Sequence, residues 1–436
     1  MPAAHARMGK QDSEMGTSRF RIAAIMALAA LSAAAQAPNA RTSLRALTAE
    51  AIKNNPEILA AQKKYEAARQ RPSQASSLPD PMVSLGYSSV GNPLPGAGIG
   101  SQPQANAGVM LSQEVPFPGK LKLKGDMASM EAQAGFEEYQ GVQLGVISRL
   151  KQAYYRFQYA YAALDLLAHH RELFEALQQM ALDRYAAGLA AQSDVFKAQT
   201  QISILETRLV RLEQERRARE AEIDALLNRA VGTPVGRPEE LKPKESAATL
   251  EELLASARRN SPLLARGQKM IERSDLAVNL AKKEFDPDVT LNAGYYSMGS
   301  MGTMYELRAD VKVPLYFWRK QSAGVTEQAM GLSAARRDYE AVDQTLRFQI
   351  QDAYLAAQAS GKLMKIYAQT VAPQASLALE SSLLAYGAGR VDFLSVISDY
   401  IMSFDYAMNY YDESLNYMLA LARLEEMTGE SLTDQI

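Results

Sequence analysis

Four charged side chains, Glu306, Arg308, Asp310 and Lys312, alternate one for one with Tyr305, Leu307, Ala309, Val311 and Val313. This pattern breaks no bonds. It makes a ribbon with two faces, one needing water and mobile ions and the other an apolar medium. Asp392 and Asp399 lie seven residues apart, so on a helix their carboxylates share a face and, copied around a symmetry axis, form rings that attract cations. Ordinary surface acids near a helix start are the plainer reading of the same pair, as of Asp194. Met298, Met301 and Met304 are spaced by three in the connection before the charged ribbon and offer thioethers suited to Cu(I) or Ag(I), or simply an apolar loop. His169 and His170 are adjacent, about 100° apart around a helix, which suits solvent better than a shared metal ion. The sequence has no glycine-rich phosphate loop, paired-histidine zinc motif or nucleophile elbow, and it reads as a non-enzyme without cofactors.

The elements that position these residues come in duplicate. Val146, Leu150, Ala153, Phe157, Ala160, Leu164 and Leu167 step 4-3-4-3-4-3, the spacing of a seam between packed helices. Leu346, Ile350, Ala353, Ala357, Ser360, Met364 and Tyr367 repeat those steps 200 residues on, which indicates an internal duplication. Two long helical hairpins follow, over 120–231 and 322–428, turning at Tyr185-Ala186-Ala187-Gly188 and Tyr386-Gly387-Ala388-Gly389. The first arm, 67 residues from Lys120 to Ala186, extends roughly 100 Å at helical rise. Asp194 and Ser395, each six residues past a turn glycine, are both able to cap the returning helix. Ahead of each hairpin lie a helix (44–78 in the first repeat) and a strand pair, over 82–115 and 289–313, introduced by Asp80-Pro81 and Asp286-Pro287. The repeats span 43–231 and 249–429, with a proline-bearing linker at 232–248 and a short tail at 430–436.

Composition narrows the setting. The chain has 436 residues, no cysteine and a formal net charge of −2, so disulfides, thiolate chemistry and an acylated cysteine are excluded, and nucleic acid is an unsuitable partner. Arg19 and Arg21, an apolar run from Ile22 to Leu31 and Ala33-Ala34-Ala35 predict an export signal cleaved after residue 35. Strands of 9–11 residues match the length that crosses a bilayer when tilted, and four per chain cannot close a barrel. Closure therefore requires oligomers, with 8 strands from two chains or 12 from three.

This order of parts resembles the TolC-type outer-membrane efflux proteins over about 43–429. The resemblance rests on the doubled architecture, on Gly188-Leu189-Ala190-Ala191-Gln192-Ser193-Asp194-Val195 and Gly389-Arg390-Val391-Asp392-Phe393-Leu394 at the turns, and on Val115-Pro116-Phe117-Pro118-Gly119-Lys120 and Val313-Pro314-Leu315-Tyr316 at the strand-to-helix junctions. It implies a mainly α protein with a membrane β-barrel: a homotrimer with one 12-stranded barrel in the outer membrane of a Gram-negative cell and a helical tunnel across the periplasm. It further implies a duct exporting what an inner-membrane pump delivers. Gly188, Leu189, Gly389, Arg390, Val391 and Leu394 would dock a periplasmic adaptor. Asp194, Asp392 and Asp399 would line the aperture, and Glu306, Arg308, Asp310 and Lys312 the barrel lumen. Pro118-Gly119-Lys120-Leu121 and the methionine-bearing connection look like the heavy-metal branch. A multidrug or type I secretion duct and a periplasmic coiled-coil scaffold are the alternatives.

Overall fold

The computed structural model describes residues 41–432 except 92 and 245, so the expected export signal and residues 433–436 lie outside the described residues. The order of elements is α1 (Leu44–Asn54), α2 (Pro56–Ala68), α3 (Arg71–Ser76), β1 (Met82–Ser88), β2 (Asn106–Val115), α4 (Lys120–Ala186) and α5 (Gln192–Leu226), then α6 (Leu250–Asn260), α7 (Pro262–Lys283), β3 (Asp288–Ser297), β4 (Thr303–Lys312), α8 (Lys320–Ile366), α9 (Ala372–Gly387) and α10 (Phe393–Thr428). The chain is mostly helix with a single four-stranded antiparallel sheet in the order β1-β2-β3-β4.

The first arm runs unbroken over the predicted 67 residues. In the first seam Val146, Leu150, Ala153, Phe157, Ala160 and Leu167 are buried; in the second, Leu346, Ile350, Ala353, Ala357, Ser360 and Met364 are. The last steps slip, as a seven-residue repeat must on a straight helix: Ala163 is buried where Leu164 is only half-buried, and Tyr367 is half-buried. Two cores result. One gathers α1, the middle of α4, the linker, α6 and the ends of α5 and α10 around Leu47, Tyr154, Phe157, Ile223 and Leu421. The other fills the hairpins toward their turns around Phe174, Leu177, Val396, Tyr400 and Phe404.

Three expectations need correction. The helix expected over 44–78 is three helices, because Asn55 ends α1 and caps α2, its Oδ1 accepting from the N–H groups of Glu57 (2.9 Å) and Ile58 (3.2 Å) ahead of Pro56. The second hairpin's first arm is not continuous. A π-turn at Tyr367–Val371 separates α8 from α9, just where Pro373 removes an N–H from the ladder. Ser395 does not cap α10 and Asp194 does not cap α5. Asp392 is the cap, accepting from the Ser395 N–H at 3.0 Å, and α5 follows Ala191, which offers no side-chain cap.

Candidate functional site

The sheet is a continuous two-faced surface. Across it Val83 lies opposite Leu111, Leu111 opposite Ala293 and Ala293 opposite Leu307; beside this row Leu85, Val109, Tyr295 and Tyr305 form another. Opposed residues in an antiparallel ladder share a face, so two apolar rows run its whole width. Both are left open: Leu85 is 84% and Leu307 87% exposed. Burying one such side chain is worth about 1.5–3 kcal/mol, so this face needs a cover. No helix among the described residues is long and apolar enough to cross a membrane; the strands alone offer an apolar surface of membrane-spanning length.

The opposite face carries the charges. Asn292, buried, accepts from the Ser112 hydroxyl and donates to Asp310 at 2.8 Å. Arg308 reaches Asp310 at 3.0 Å and Glu306 at 3.5 Å, while Lys312 lies opposite Asp288. The structure thus brings Glu306, Arg308, Asp310 and Lys312 to one face, the first three joined in a hydrogen-bonded strip with Asn292 rather than standing as independent charges. Tyr296 covers the glycines of this face: a Cβ on Gly108 or Gly294 would meet its ring at 2.5–2.6 Å.

The methionines do not form one loop. β3 and β4 are joined by a tight turn from Met298 to Gly302, where Gly302 (φ 101°) reverses the chain. Met304 already belongs to β4, opposite Tyr296. Among the described residues no cluster of three or more His, Asp or Glu side chains could hold a metal ion. His169 is exposed but His170 is buried against Tyr400 and Phe404, its carbonyl accepting from the Tyr400 hydroxyl, which corrects the surface reading for that residue. Burial, and secondly the neighbouring His169, lower the His170 pKa to about 4.

At the far end of the hairpins the two turns are built alike. Gly188 (φ 71°) and Gly389 (φ 72°) take the left-handed conformation, and the next N–H closes back over the turn at 2.8 Å, from Leu189 to the Arg184 carbonyl and from Arg390 to the Ala385 carbonyl. A Cβ on Gly188 would meet nothing within 4 Å; one on Gly389 would touch only the end of the Arg184 side chain. Leu189 and Leu394 are exposed. Arg390 is exposed and Val391 half-buried.

The acids do not behave as one set. Asp392 stands outside α10 as its cap, so it shares no helix face with Asp399. The Ser395 hydroxyl and N–H hold its carboxyl below the usual carboxylate range. Asp399 is half-buried and accepts from the Ser382 hydroxyl, tying α10 to α9. Asp194 lies 3.6 Å from Lys197.

The residue that sequence reasoning missed is Arg184. From the first hairpin it donates to the carbonyls of Tyr386 and Gly387, the latter at 3.0 Å, and to Leu189 at 3.4 Å, with its guanidinium 4.7 Å from the centre of the Tyr386 ring. It thereby caps the carbonyl end of α9 from outside. Burial, and secondly the Asp194 charge, raise the Tyr386 pKa. One signal was available. Aligning Tyr185-Ala186-Ala187-Gly188 with Tyr386-Gly387-Ala388-Gly389 places Arg184 against Ala385, a charge in one repeat only.

A two-faced sheet continued by helices that reach far beyond it is the geometry of a membrane channel. Residues 47–229 and 253–429 match the family of outer membrane efflux proteins, and the chain belongs to that family. It is 23% identical over 437 residues to the outer membrane protein TolC of Vibrio cholerae, covering 94% of each chain. Among solved structures it is similar to CusC (TM-score 0.75, 15% identity, 88% of this chain and 92% of that one). It is equally similar to VceC of Vibrio cholerae (TM-score 0.75, 18% identity, 89% and 97%) and close to the open MtrE outer membrane channel of Neisseria gonorrhoeae (TM-score 0.73, 18% identity, 90% of each). The protein is an outer-membrane efflux channel of the Gram-negative envelope that extends into the periplasm.

Proposed function

We propose that the chain works as a homotrimer whose three sheets close one 12-stranded barrel. Its apolar face meets outer-membrane lipid, and Glu306, Arg308, Asp310 and Lys312 face the lumen. The observation that carries this reading is the sheet itself: two exposed apolar rows on one side, a satisfied polar strip on the other, and two open edges that lipid does not tolerate. The hairpins then form the periplasmic tunnel, and the turns at Gly188, Leu189, Gly389, Arg390, Val391 and Leu394 dock the adaptor that joins the duct to an inner-membrane pump. Asp194, Asp392 and Asp399 lie about that tip, with Asp392 the most open to the pore. Arg184 holds the two turns of one chain together and keeps the tip narrow.

The cargo we propose is heavy-metal cations chosen by the pump, the duct adding an acidic lining and little selectivity. The junction Pro118-Gly119-Lys120-Leu121 supports this, as do the exposed thioethers of Met301 and Met304 near the barrel mouth. Weak contact at several sites passes an ion without holding it. Deleting the gene should sensitise cells to copper, silver or a divalent metal more than to dyes and detergents. Drug sensitivity with unchanged metal tolerance would assign the duct to drug export instead. Metal tolerance unaffected by replacing Met298, Met301 and Met304 with Leu would remove the thioethers from the pathway.

A further inference from the structure

Two large side chains of the first repeat have counterparts of the smallest kind in the second. Phe157 and Tyr161 on α4 pack edge to face, ring centres 5.1 Å apart, and 200 residues on stand Ala357 and Gly361 on α8. A cavity of about 240 Å³ opens beside this second pair. Its walls are Leu253 of α6, Ala357 and Gly361, and Tyr417, Leu421 and Leu424 of α10; all but Gly361 are buried. Gly361 lies inside a helix, where glycine weakens the element and no turn requires it. A Cβ there would meet only the Tyr417 ring, at 3.5 Å, so the glycine keeps the space open.

The polar surroundings differ in step. In the first repeat the Tyr154 hydroxyl donates to the Thr42 carbonyl at 2.7 Å and accepts from the Glu239 N–H at 3.2 Å. Its counterpart Tyr354 lines the cavity and accepts from the Gln358 amide of its own helix at 3.4 Å; among the described residues its O–H proton has no acceptor. Cations attend both places. The Arg216 and Arg237 guanidinium groups lie 5.7 and 5.5 Å from the centre of the Tyr161 ring. Lys362 and Lys365, three residues apart on one helix face and both exposed, line the cavity where it meets solvent.

We propose that this cavity is a binding site for a small planar aromatic anion. The ligand's rings take the place that Phe157 and Tyr161 hold in the first repeat, against Ala357, Gly361 and the Tyr417 ring. Its carboxylate or sulfonate meets the two ammonium groups and the Tyr354 hydroxyl. Size sets the class. A dry cavity of about 150 Å³ holds benzene and drug-sized sites run from roughly 300 Å³ upward, so one of about 240 Å³ suits a bicyclic ring. The apolar walls bury the rings, and the charge stays at the solvent end, where the ion pair keeps part of its water. The site belongs neither to the sheet nor to the hairpin turns, and it stands apart from the cargo.

The test uses the full-length protein in phosphatidylcholine nanodiscs, titrated calorimetrically with naphthalene-2-sulfonate against empty nanodiscs. Saturable binding of one molecule per chain is expected. Ala357→Phe with Gly361→Tyr, which restores the first repeat's pair, should abolish it. Lys362→Gln with Lys365→Gln should weaken it about tenfold, the worth of one charge-assisted hydrogen bond. Octane-1-sulfonate, of equal charge and without a ring, should bind more weakly. The absence of saturable binding, or binding that survives the filled pair, overturns the site; equal affinity for the two sulfonates, or for the lysine variant, overturns the aromatic anion as its ligand. The chain has no cysteine, so Gly361→Cys gives a second reading that does not depend on the filled variant folding. Its thiol should react with a maleimide and lose most of that rate when naphthalene-2-sulfonate is added. A rate unchanged by the sulfonate, or a thiol that a neighbouring copy keeps from reacting at all, overturns the proposal.

Discussion

The two repeats share a plan and differ in how firmly each is held. The first hairpin is continuous through α4, and its junction with the sheet is packed: Lys120 is buried and the Lys283 ammonium lies 5.1 Å from the Phe117 ring. The second is interrupted by the π-turn at Tyr367–Val371, and its junction exposes Leu315, Tyr316, Phe317 and Trp318. A π-turn weakens the helical ladder locally and is a site where a long helix bends. The difference puts the unbroken helix and the packed junction in the first repeat and the helical irregularity and the open junction in the second. Arg184, which donates from the first tip to the carbonyls of the second, belongs to the continuous hairpin.

The comparison of the sheet's two faces breaks with the largest effect. Leu307→Arg should cost about 2–4 kcal/mol near the bilayer midplane and remove the protein from the outer-membrane fraction. Glu306→Gln on the other face should insert normally and alter ion selectivity in planar bilayers. The reverse ranking would mean the faces are assigned backwards. Next in size, Gly389→Trp should abolish export with trimer yield and insertion unchanged, because bulk at an open turn blocks docking; a folding defect would leave Gly389 as a helix terminator only. Arg184→Ala removes charge-assisted hydrogen bonds worth about 1.5–3 kcal/mol in such settings. It should raise single-channel conductance, and an unchanged conductance would deny the tie between the two tips.

Acid sharpens the same comparison more gently. His170 has a folded pKa of about 4 against roughly 6.5 unfolded. Its protonation therefore favours the unfolded hairpins, and stability is flat above about pH 6.5 and falls as pH drops toward 4. His170→Phe should flatten that fall in thermal melts taken between pH 7 and 4, and a slope unchanged by the substitution would exclude His170 as its source. The smallest effect is expected from Asp392→Ala, which removes the cap of α10 and is read as faster hydrogen exchange in the first turn of that helix. Because Asp392 titrates below the usual carboxylate range, its capping contribution is present above that range and disappears as pH falls through its own lowered pKa.

How much was legible in the sequence follows from what repeats. Seams of alternating four and three, strands of strict alternation and turn glycines needing positive φ are imposed by geometry at many positions, so the long helices and the two faces were readable. Breaks that hang on one residue were not. Asn55 is an ordinary polar residue until its side chain is seen to cap α2 and donate to the Leu226 carbonyl at 2.8 Å, 171 positions away. Pro373 signals trouble in a helix, yet only packing decides between a stop and a π-turn. Asp392 and Asp399 fit one helical face by spacing alone, and the start of the helix falls between them. Arg184 escaped because its partners are carbonyls of the other hairpin, which no periodicity reports.

The central claim is that three of these chains close one channel. Light scattering of the detergent-extracted protein, with detergent mass subtracted, tests it most directly. The account predicts a single species of three chains that resists salt washing of membranes and dissociates only on heating in dodecyl sulfate. A stable monomer in mild detergent, or release by salt alone, would contradict it, because the edges of β1 and β4 would then have no partner.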